Sequence, residues 1–470
     1  MDNKVGDRAV VLGGSMAGLL AARVLADAYG QVTIVDRDTL TGVTTPRRGV
    51  PQGPHAHGLL AGGHKALEEM FPGLTHDLTT KNDVPFGDLN GDIRWYFGGH
   101  RVASGHFGLA CLSATRPILE AYVRARVQAI PNVTLLENTD ILGIVASADR
   151  RRITGARVQR QAEGSTEEFL AADLVVDATG RGSRSPAWLE ALGYQRPVEE
   201  KIKVGIAYTT RHYQLPFDVF QGDLSINPVA VPGSPRGAIF SRIKESNPMH
   251  AELSLTGMLG DHPPTDPAGF EEYAKTLPAP EVYEAIKDAT PLTDPVTHKF
   301  PASQRRRYER LRKFPERLLV MGDAACSFNP VYGQGMSVAA MEALALAKSL
   351  ERGAPPKPRK FFKDIAKIIN VAWDIAAGGD LGFPGVEGKR TLKVKIGNYY
   401  NGKVIGAAMV DPTITDLFFR VACFIDPPSA MFRPSTLRKV FWPKPPAGVP
   451  AAAPAPARQE QRPDEQRPAA

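Results

Sequence analysis

The chain has 470 residues, a formal net charge of +7, 43% hydrophobic residues and 23% charged residues. That is enough chain for two domains or one large two-lobed fold, and an ordinary globular composition, so a disordered or fibrous chain is excluded. Three widely separated cysteines, Cys111, Cys326 and Cys423, exclude a disulfide framework and a cysteine-built metal site, and the spread basic residues accompany no nucleic-acid-binding motif.

The first strand is expected from about Arg8, with Ala9-Val10-Val11-Leu12 as its apolar run. It leaves no room for a signal peptide, and no apolar run is long enough to span a bilayer, so a cytoplasmic location is expected. Gly13-Gly14-Ser15-Met16-Ala17-Gly18 follows at once, then a helical pattern to about Ala28 and a second strand, Val32 to Val35, ending on Asp36 and Arg37. This is a βαβ opening with a glycine-rich turn. Segments 133–145 and 153–160 alternate like strands, and Ala172 to Ala178 leads into Thr179-Gly180.

From about 200 to 300 the stretches Val204–Thr210, Ala238–Ile243 and Ala251–Leu255 alternate between Pro/Gly-rich turns, which predicts a second lobe built on a sheet. A strand returns at Arg317–Met321, followed by a helix of small residues over 335–350 and another over 357–376 with apolar positions near 3.6 spacing. The expected fold is α/β: a dinucleotide-binding Rossmann-like domain of glutathione-reductase type, interleaved with a β-sheet substrate domain, plus C-terminal helices. The expected boundaries are 1–84, 106–190 and 300–352 for the first, 85–105 and 191–299 for the second, and 353–442 for the helices. A Pro/Ala/Gln/Arg/Glu tail, 443–470, is expected to be disordered.

The glycine-rich turn is a variant of the dinucleotide fingerprint. Gly13 allows the tight turn, Gly18 lets the helix pack on the strand, and the helix N-terminus offers N–H groups to a pyrophosphate. Ser15 stands where the second glycine is usual, and Asp36 lies near the spacing of a ribose-binding acid. This motif alone admits NAD or FAD. The second motif decides for FAD: Gly322-Asp323 ends a strand, and Pro330, Gly333, Gln334, Gly335 and Met336 precede a helix. The acid suits a polyol hydroxyl, and the loop N–H groups suit the charge that develops on a reduced flavin.

Gly13–Gly18, Asp177-Ala178-Thr179-Gly180 and Gly322-Asp323…Pro330…Gly333-Gln334-Gly335 together resemble the three signatures of class A flavoprotein monooxygenases. A nearer resemblance is to bacterial polyene epoxidases of lasalocid and monensin biosynthesis. It is carried by Arg47-Arg48-Gly49-Val50-Pro51-Gln52…His55-Ala56-His57, by Phe328-Asn329-Pro330-Val331-Tyr332-Gly333 and by Trp373-Asp374…Asp380…Pro384. It spans roughly residues 8 to 390. The resemblance implies an arginine at the FAD in Arg116 and one beside the flavin in Arg47. It also implies oxygen transfer from O2 through a flavin C4a-hydroperoxide, with electrons from NAD(P)H or a partner flavin or ferredoxin reductase. A large apolar small molecule, polyketide- or terpenoid-like, is the implied substrate.

Arg47 and Tyr208 are the candidates for a role next to the chemistry, beyond the flavin itself. His55 and His57 lack a third ligand nearby and read as loop histidines, not a metal site. Cys326 reads as a small residue at a crowded turn. No base for deprotonating a phenol is visible, which favours epoxidation over hydroxylation. A flavin-dependent reductase of carbon–carbon double bonds, like the geranylgeranyl reductases, would share these motifs, as would a non-catalytic flavin-binding interaction protein. The absence of a Trp-x-Trp pair argues against a tryptophan-type halogenase.

Overall fold

A five-stranded sheet carries both cofactor motifs. In the computed structural model, which describes residues 4–351 and 353–443, its order is Leu318–Val320, Leu174–Asp177, Gly6–Leu12, Tyr29–Val35, Val133–Leu136. All four pairings are parallel, as expected of apolar strands buried on both faces. The first strand in the chain lies in the middle, with its successor on one side and Leu174–Asp177 on the other. The carboxyl end of Gly6–Leu12 is therefore a topological switch point, where α/β sheets open a crevice for ligands.

Close approach explains the glycines at this point. Gly13 has φ +101°, and a Cβ there would stand 2.5 Å from the Ala178 carbonyl oxygen. On Gly18 a Cβ would stand 1.8 Å from the Gly13 oxygen, so helix Met16–Ala28 can lie on the sheet only with glycine there. That helix buries Leu19, Leu20, Val24 and Leu25 against the strands.

The second lobe is an eight-stranded sheet whose central strands are Ile206–Gln214, Ser225–Val229, Arg236–Arg242 and His250–Gly257. The distant strand Ile93–Phe97 joins it in parallel beside Ser225–Val229. Helices Pro267–Lys275 and Pro280–Ile286 cover one face through Phe270, Val282 and Ile286. Val296–Phe300 pairs with Ile206–Gln214 and returns the chain to the first sheet.

Helix Gly335–Leu350 packs on Met16–Ala28, and helix Pro358–Asp380 packs on it in turn. Phe361, Phe362, Ile365 and Ile369 of the latter belong to the same hydrophobic core as the parallel sheet, so the apolar stripe read at 3.6 spacing is its buried face. Three further helices, Leu392–Ala408, Pro412–Ala422 and Pro434–Phe441, form a separate cluster around Val404, Ala407, Ile414 and Val440. The expected tail, apart from Pro443, lies outside the described residues.

Candidate active site

The turns that follow the parallel strands converge because the strands are parallel and in register. Gly13, Asp36, Thr179-Gly180 and Gly322-Asp323 all stand on the same carboxyl edge. Gly322 (φ +64°) comes so near the fingerprint helix that a Cβ would lie 2.6 Å from the Ala17 Cβ. The two motifs, about 300 residues apart in sequence, thus share one crevice. Arg306 ties the neighbouring turns together, donating from Nη1 to the Ala324 carbonyl at 2.8 Å and from Nη2 to the Arg181 carbonyl at 3.0 Å. Gly322 N–H donates to Glu342 Oε2 at 2.6 Å, and burial pushes the Glu342 carboxyl up to about 8.

At the first crevice wall, Ser15 N-caps Met16–Ala28 without a side-chain capping bond. Its hydroxyl donates to Glu120 at 2.9 Å instead, which leaves the first-turn N–H groups of Met16 and Ala17 free for a phosphate. Glu120 is buried and gathers three guanidinium groups: Arg47 at 2.8 Å, Arg116 at 2.9 Å and Arg124 at 3.6 Å. Despite burial, these cations hold its carboxyl below the usual range. Arg47 also pairs with Asp38 at 2.8 Å and faces Asp36 at 3.6 Å. Arg47, Arg116, Glu120 and Arg124 line a small cleft with Val43 and Val50.

Asp36 accepts the N–H groups of Gly14 at 2.6 Å and Asp38 at 2.8 Å. Burial raises its pKa, opposed first by Arg47. Arg37 is exposed beside it.

At the second wall, Asp323 accepts no hydrogen bond among the described residues. Desolvation raises its pKa, opposed by Arg116 and then Arg181. A Cβ on Gly335 would stand 4.0 Å from its Oδ1, so the acid faces the start of helix Gly335–Leu350, where Gln334 makes no side-chain cap and the N–H groups around Met336 are open. Gly333 (φ +65°) closes the Pro330–Tyr332 turn, and a Cβ on Gly58, which follows the Arg47–His57 loop, would stand 4.0 Å from its Cα. Gly180 has φ +75° and places Arg181 over the Phe300 ring at 4.5 Å. Arg181 donates to Ser327 at 3.2 Å.

This donor set fits FAD. A helix N-terminus and Arg116 would meet the pyrophosphate, Asp36 the ribose, the unbonded Asp323 carboxylate the ribityl chain, and the Gly333–Met336 N–H groups the flavin ring.

Beyond the flavin loop the second lobe closes in. Tyr208 on strand Ile206–Gln214 donates to Asn329 Oδ1 at 3.3 Å, and Asn329 donates from Nδ2 to Asp380 Oδ1 at 2.8 Å. Tyr332 donates to the same Asp380 oxygen at 3.2 Å, while Asp380 Oδ2 is buried without a partner among the described residues. Burial pushes Asp380 up to about 7. His55 lies against this cluster, its ring 6.0 Å from that of Tyr208 and 5.9 Å from that of His298. Its Nδ1 is 2.8 Å from Thr210 Oγ1, its Nε2 is buried without a partner among the described residues, and burial pushes it down to about 4. His57 is pushed down to about 3 by desolvation and the Arg116 charge, which favours the neutral form of both rings.

The structure brings Gly13, Ser15, Met16, Ala17, Gly18, Asp36, Arg116, Gly180, Asp323, Gly333, Gly335 and Met336 to the crevice. Pro330 and Tyr208 stand at its junction with the second lobe. Arg47 is held among the carboxylates of Asp36, Asp38 and Glu120. Glu120, Arg181, Asn329, Tyr332 and Asp380 acquire their places only through tertiary contact. Of these, Arg181 directly follows the Thr179-Gly180 signature, and Asn329, Tyr332 and Asp380 stand in the segments that resemble the polyene epoxidases, without a role assigned there.

A fingerprint turn and an acidic glycine-rich motif meeting at one switch point, with a sheet lobe closing on the second, define an FAD-dependent oxidoreductase of the flavoprotein monooxygenase class. The profile of the FAD binding domain family matches residues 110–353. The chain is 34% identical to protein Rv3254 of Mycobacterium tuberculosis, across 91% of this chain and 92% of that one. The chain belongs to this FAD-binding family. Kynurenine 3-monooxygenase of Salinispora tropica is 25% identical, with 74% and 73% of the two chains covered. The p-nitrophenol 4-monooxygenase PnpA of Pseudomonas putida shares the fold at TM-score 0.61 and 16% identity, with coverages of 88% and 97%.

Proposed function

We propose that the protein inserts one oxygen atom of O2 into a large, mostly apolar molecule of polyketide or terpenoid kind, by epoxidation or hydroxylation. Electrons would come from NAD(P)H or a partner flavin or ferredoxin reductase. The observation that carries this reading is the Tyr208–Asn329 contact: it puts the sheet of the second lobe against the loop that would hold the flavin ring. A molecule lying on that sheet would meet the reactive edge away from water. Tyr208 is itself buried in the hydrophobic core, so this contact stands in apolar surroundings. The resemblance of the 47–57 and 328–333 segments to polyene epoxidases supports the reading too.

Bound FAD would supply the activation of O2. The chain's own groups bind, shield and hold protons. Neutral His55 and the hydroxyl of Tyr208, whose pKa burial raises well above its ordinary value, are buried hydrogen-bonding groups that carry no charge. Excluding water there protects the activated oxygen from wasteful collapse.

Asp380 favours a second reading, hydroxylation of a phenol. Burial raises the Asp380 carboxyl to about 7 beside Tyr332, which would supply the base that no sequence motif revealed. Titrating the FAD-loaded protein with retinol, farnesol and 4-hydroxybenzoate while following flavin absorbance separates the two. A shift with the first two supports the apolar substrate, and a shift with the phenol alone replaces it by an aromatic one.

A further inference from the structure

The C-terminal helices present an apolar strip to solvent. On helix Leu392–Ala408, Leu392, Ile396 and Tyr400 follow one another at i, i+4 and i+8, with Tyr399 alongside. Leu392 is 72% exposed, Ile396 58% and Tyr399 64%. Tyr400 stacks on Phe432 at 5.1 Å and lies 6.1 Å from Phe441, which adjoins Trp442 at 6.2 Å. The strip thus runs across two helices and ends on an indole that is 72% exposed. Such a continuous patch marks an interaction surface, whereas scattered exposed apolar residues do not.

Charge indicates what it meets. From Gly388 to Val410 the sequence holds Lys389, Arg390, Lys393, Lys395 and Lys403 and no acidic residue, and Arg433, Arg438 and Lys439 flank the strip's far end. Lys393 pairs with Asp374 at 2.6 Å and Lys439 with Asp411 at 3.2 Å. Among the described residues, Lys389, Lys395, Lys403, Arg433 and Arg438 form no ion pair. A second copy docking symmetrically on this face would set cations against cations. The residues after Trp442 in this sequence include one large apolar side chain, Val449, and are poor cover for the strip. Apolar and aromatic side chains interleaved with lysines and arginines suit the headgroup boundary of an anionic bilayer.

We propose that this strip docks the protein reversibly on an anionic lipid surface, lying on the membrane with no segment crossing it. No described helix is long and apolar enough to cross. Lys395, Lys403 and Arg438 meet the lipid phosphates, Ile396 and Leu392 enter the acyl boundary, and Trp442 sits at the interface. A substrate dissolved in the bilayer would then be taken up from the surface on which the enzyme rests.

The test uses the FAD-loaded full chain and vesicles of phosphatidylcholine alone or with a quarter phosphatidylglycerol. Expected is co-sedimentation with the anionic vesicles, weakened by salt, together with a blue shift of tryptophan emission that Trp442→Phe abolishes. Ile396→Asp should lower vesicle affinity about tenfold or more, from the lost burial of one isoleucine. Lys395→Glu with Lys403→Glu should abolish the preference for anionic vesicles. Retention of FAD in each variant checks that the fold is intact. Wild-type protein that stays in the supernatant with both vesicles, or variants that bind as well as wild type, would overturn the proposal. So would a wild-type dimer in sedimentation equilibrium that Ile396→Asp dissociates, which would give the strip to a second copy.

Discussion

Asn329 donates from Nδ2 to Asp380 Oδ1 at 2.8 Å, fastening the loop before the Gly333–Gly335 turn to the last residue of a 23-residue helix. Asp380 is charged at one end of its titration and neutral at the other, so this fastening responds to pH. Burial raises its carboxyl to about 7, against about 3.9 in an unfolded chain. Between those values the folded protein holds the proton and the unfolded chain releases it, so stability falls as pH rises through the window. Asp380→Asn keeps an oxygen for Asn329 and Tyr332 but cannot ionise. Melting temperatures between pH 5 and pH 8 should fall less steeply in the variant, which should also melt above wild type at the upper end. Glu342, raised to about 8, acts with the same sign and leaves a residual slope. Parallel curves for the two proteins would contradict the assignment.

Asp323 accepts no hydrogen bond among the described residues and is desolvated. Asp323→Ala should therefore leave the apoprotein as stable as wild type, or slightly more so, while FAD affinity falls about a hundredfold or more, on the order of 3 kcal/mol for a buried charge-assisted contact. Flavin absorbance after gel filtration and the melting temperature of the apoprotein report the two effects separately. A yellow, stoichiometrically loaded variant would remove Asp323 from the site.

Gly18→Ala tests the packing behind the fingerprint. The added Cβ would stand 1.8 Å from the Gly13 oxygen, a backbone atom that cannot yield without moving the helix off the sheet. A loss of about 3 kcal/mol or more is expected, in the range of severe overpacking, with loss of FAD. Gly378→Ala, where the new Cβ meets nothing within 4 Å beyond its own stretch of helix, is the control and should be neutral or stabilising.

His55 has a defined tautomer. Ser254 Oγ accepts the Ala56 N–H at 3.0 Å and lies 2.5 Å from Thr210 Oγ1, which is 2.8 Å from His55 Nδ1. Every hydroxyl finds an acceptor if Ser254 donates to Thr210 and Thr210 to Nδ1, which puts the imidazole proton on the unpartnered Nε2. Nitrogen NMR of the FAD-loaded protein, with His55→Gln for assignment, should show a neutral Nε2–H ring from pH 5 to pH 8. A proton on Nδ1 would contradict the network.

What the sequence disclosed here was whatever is local or periodic. Helix Gly335–Leu350 and the stripe Phe361–Ile369 followed from spacing, and Gly13, Gly18, Asp323 and Gly335 followed from motifs whose backbone demands are written in neighbouring residues. The polar cluster was not legible, because its bonds join positions that sequence patterns do not connect: 51 residues separate Asn329 from Asp380, 121 separate Tyr208 from Asn329, and 155 separate His55 from Thr210. Arg47 shows the same limit. Its type suited a phosphate or a flavin oxygen, and only the fold revealed that Glu120, 73 residues away, takes its Nε–H.

The most direct measurement is anaerobic reduction of the FAD-loaded protein followed by rapid mixing with O2, recording the flavin spectrum through reoxidation. A transient spectrum distinct from both oxidised and reduced flavin, whose decay farnesol or retinol accelerates, is the result expected of a monooxygenase with an apolar substrate. Direct, featureless reoxidation with every ligand would contradict oxygen transfer and leave a flavin-dependent reductase in its place.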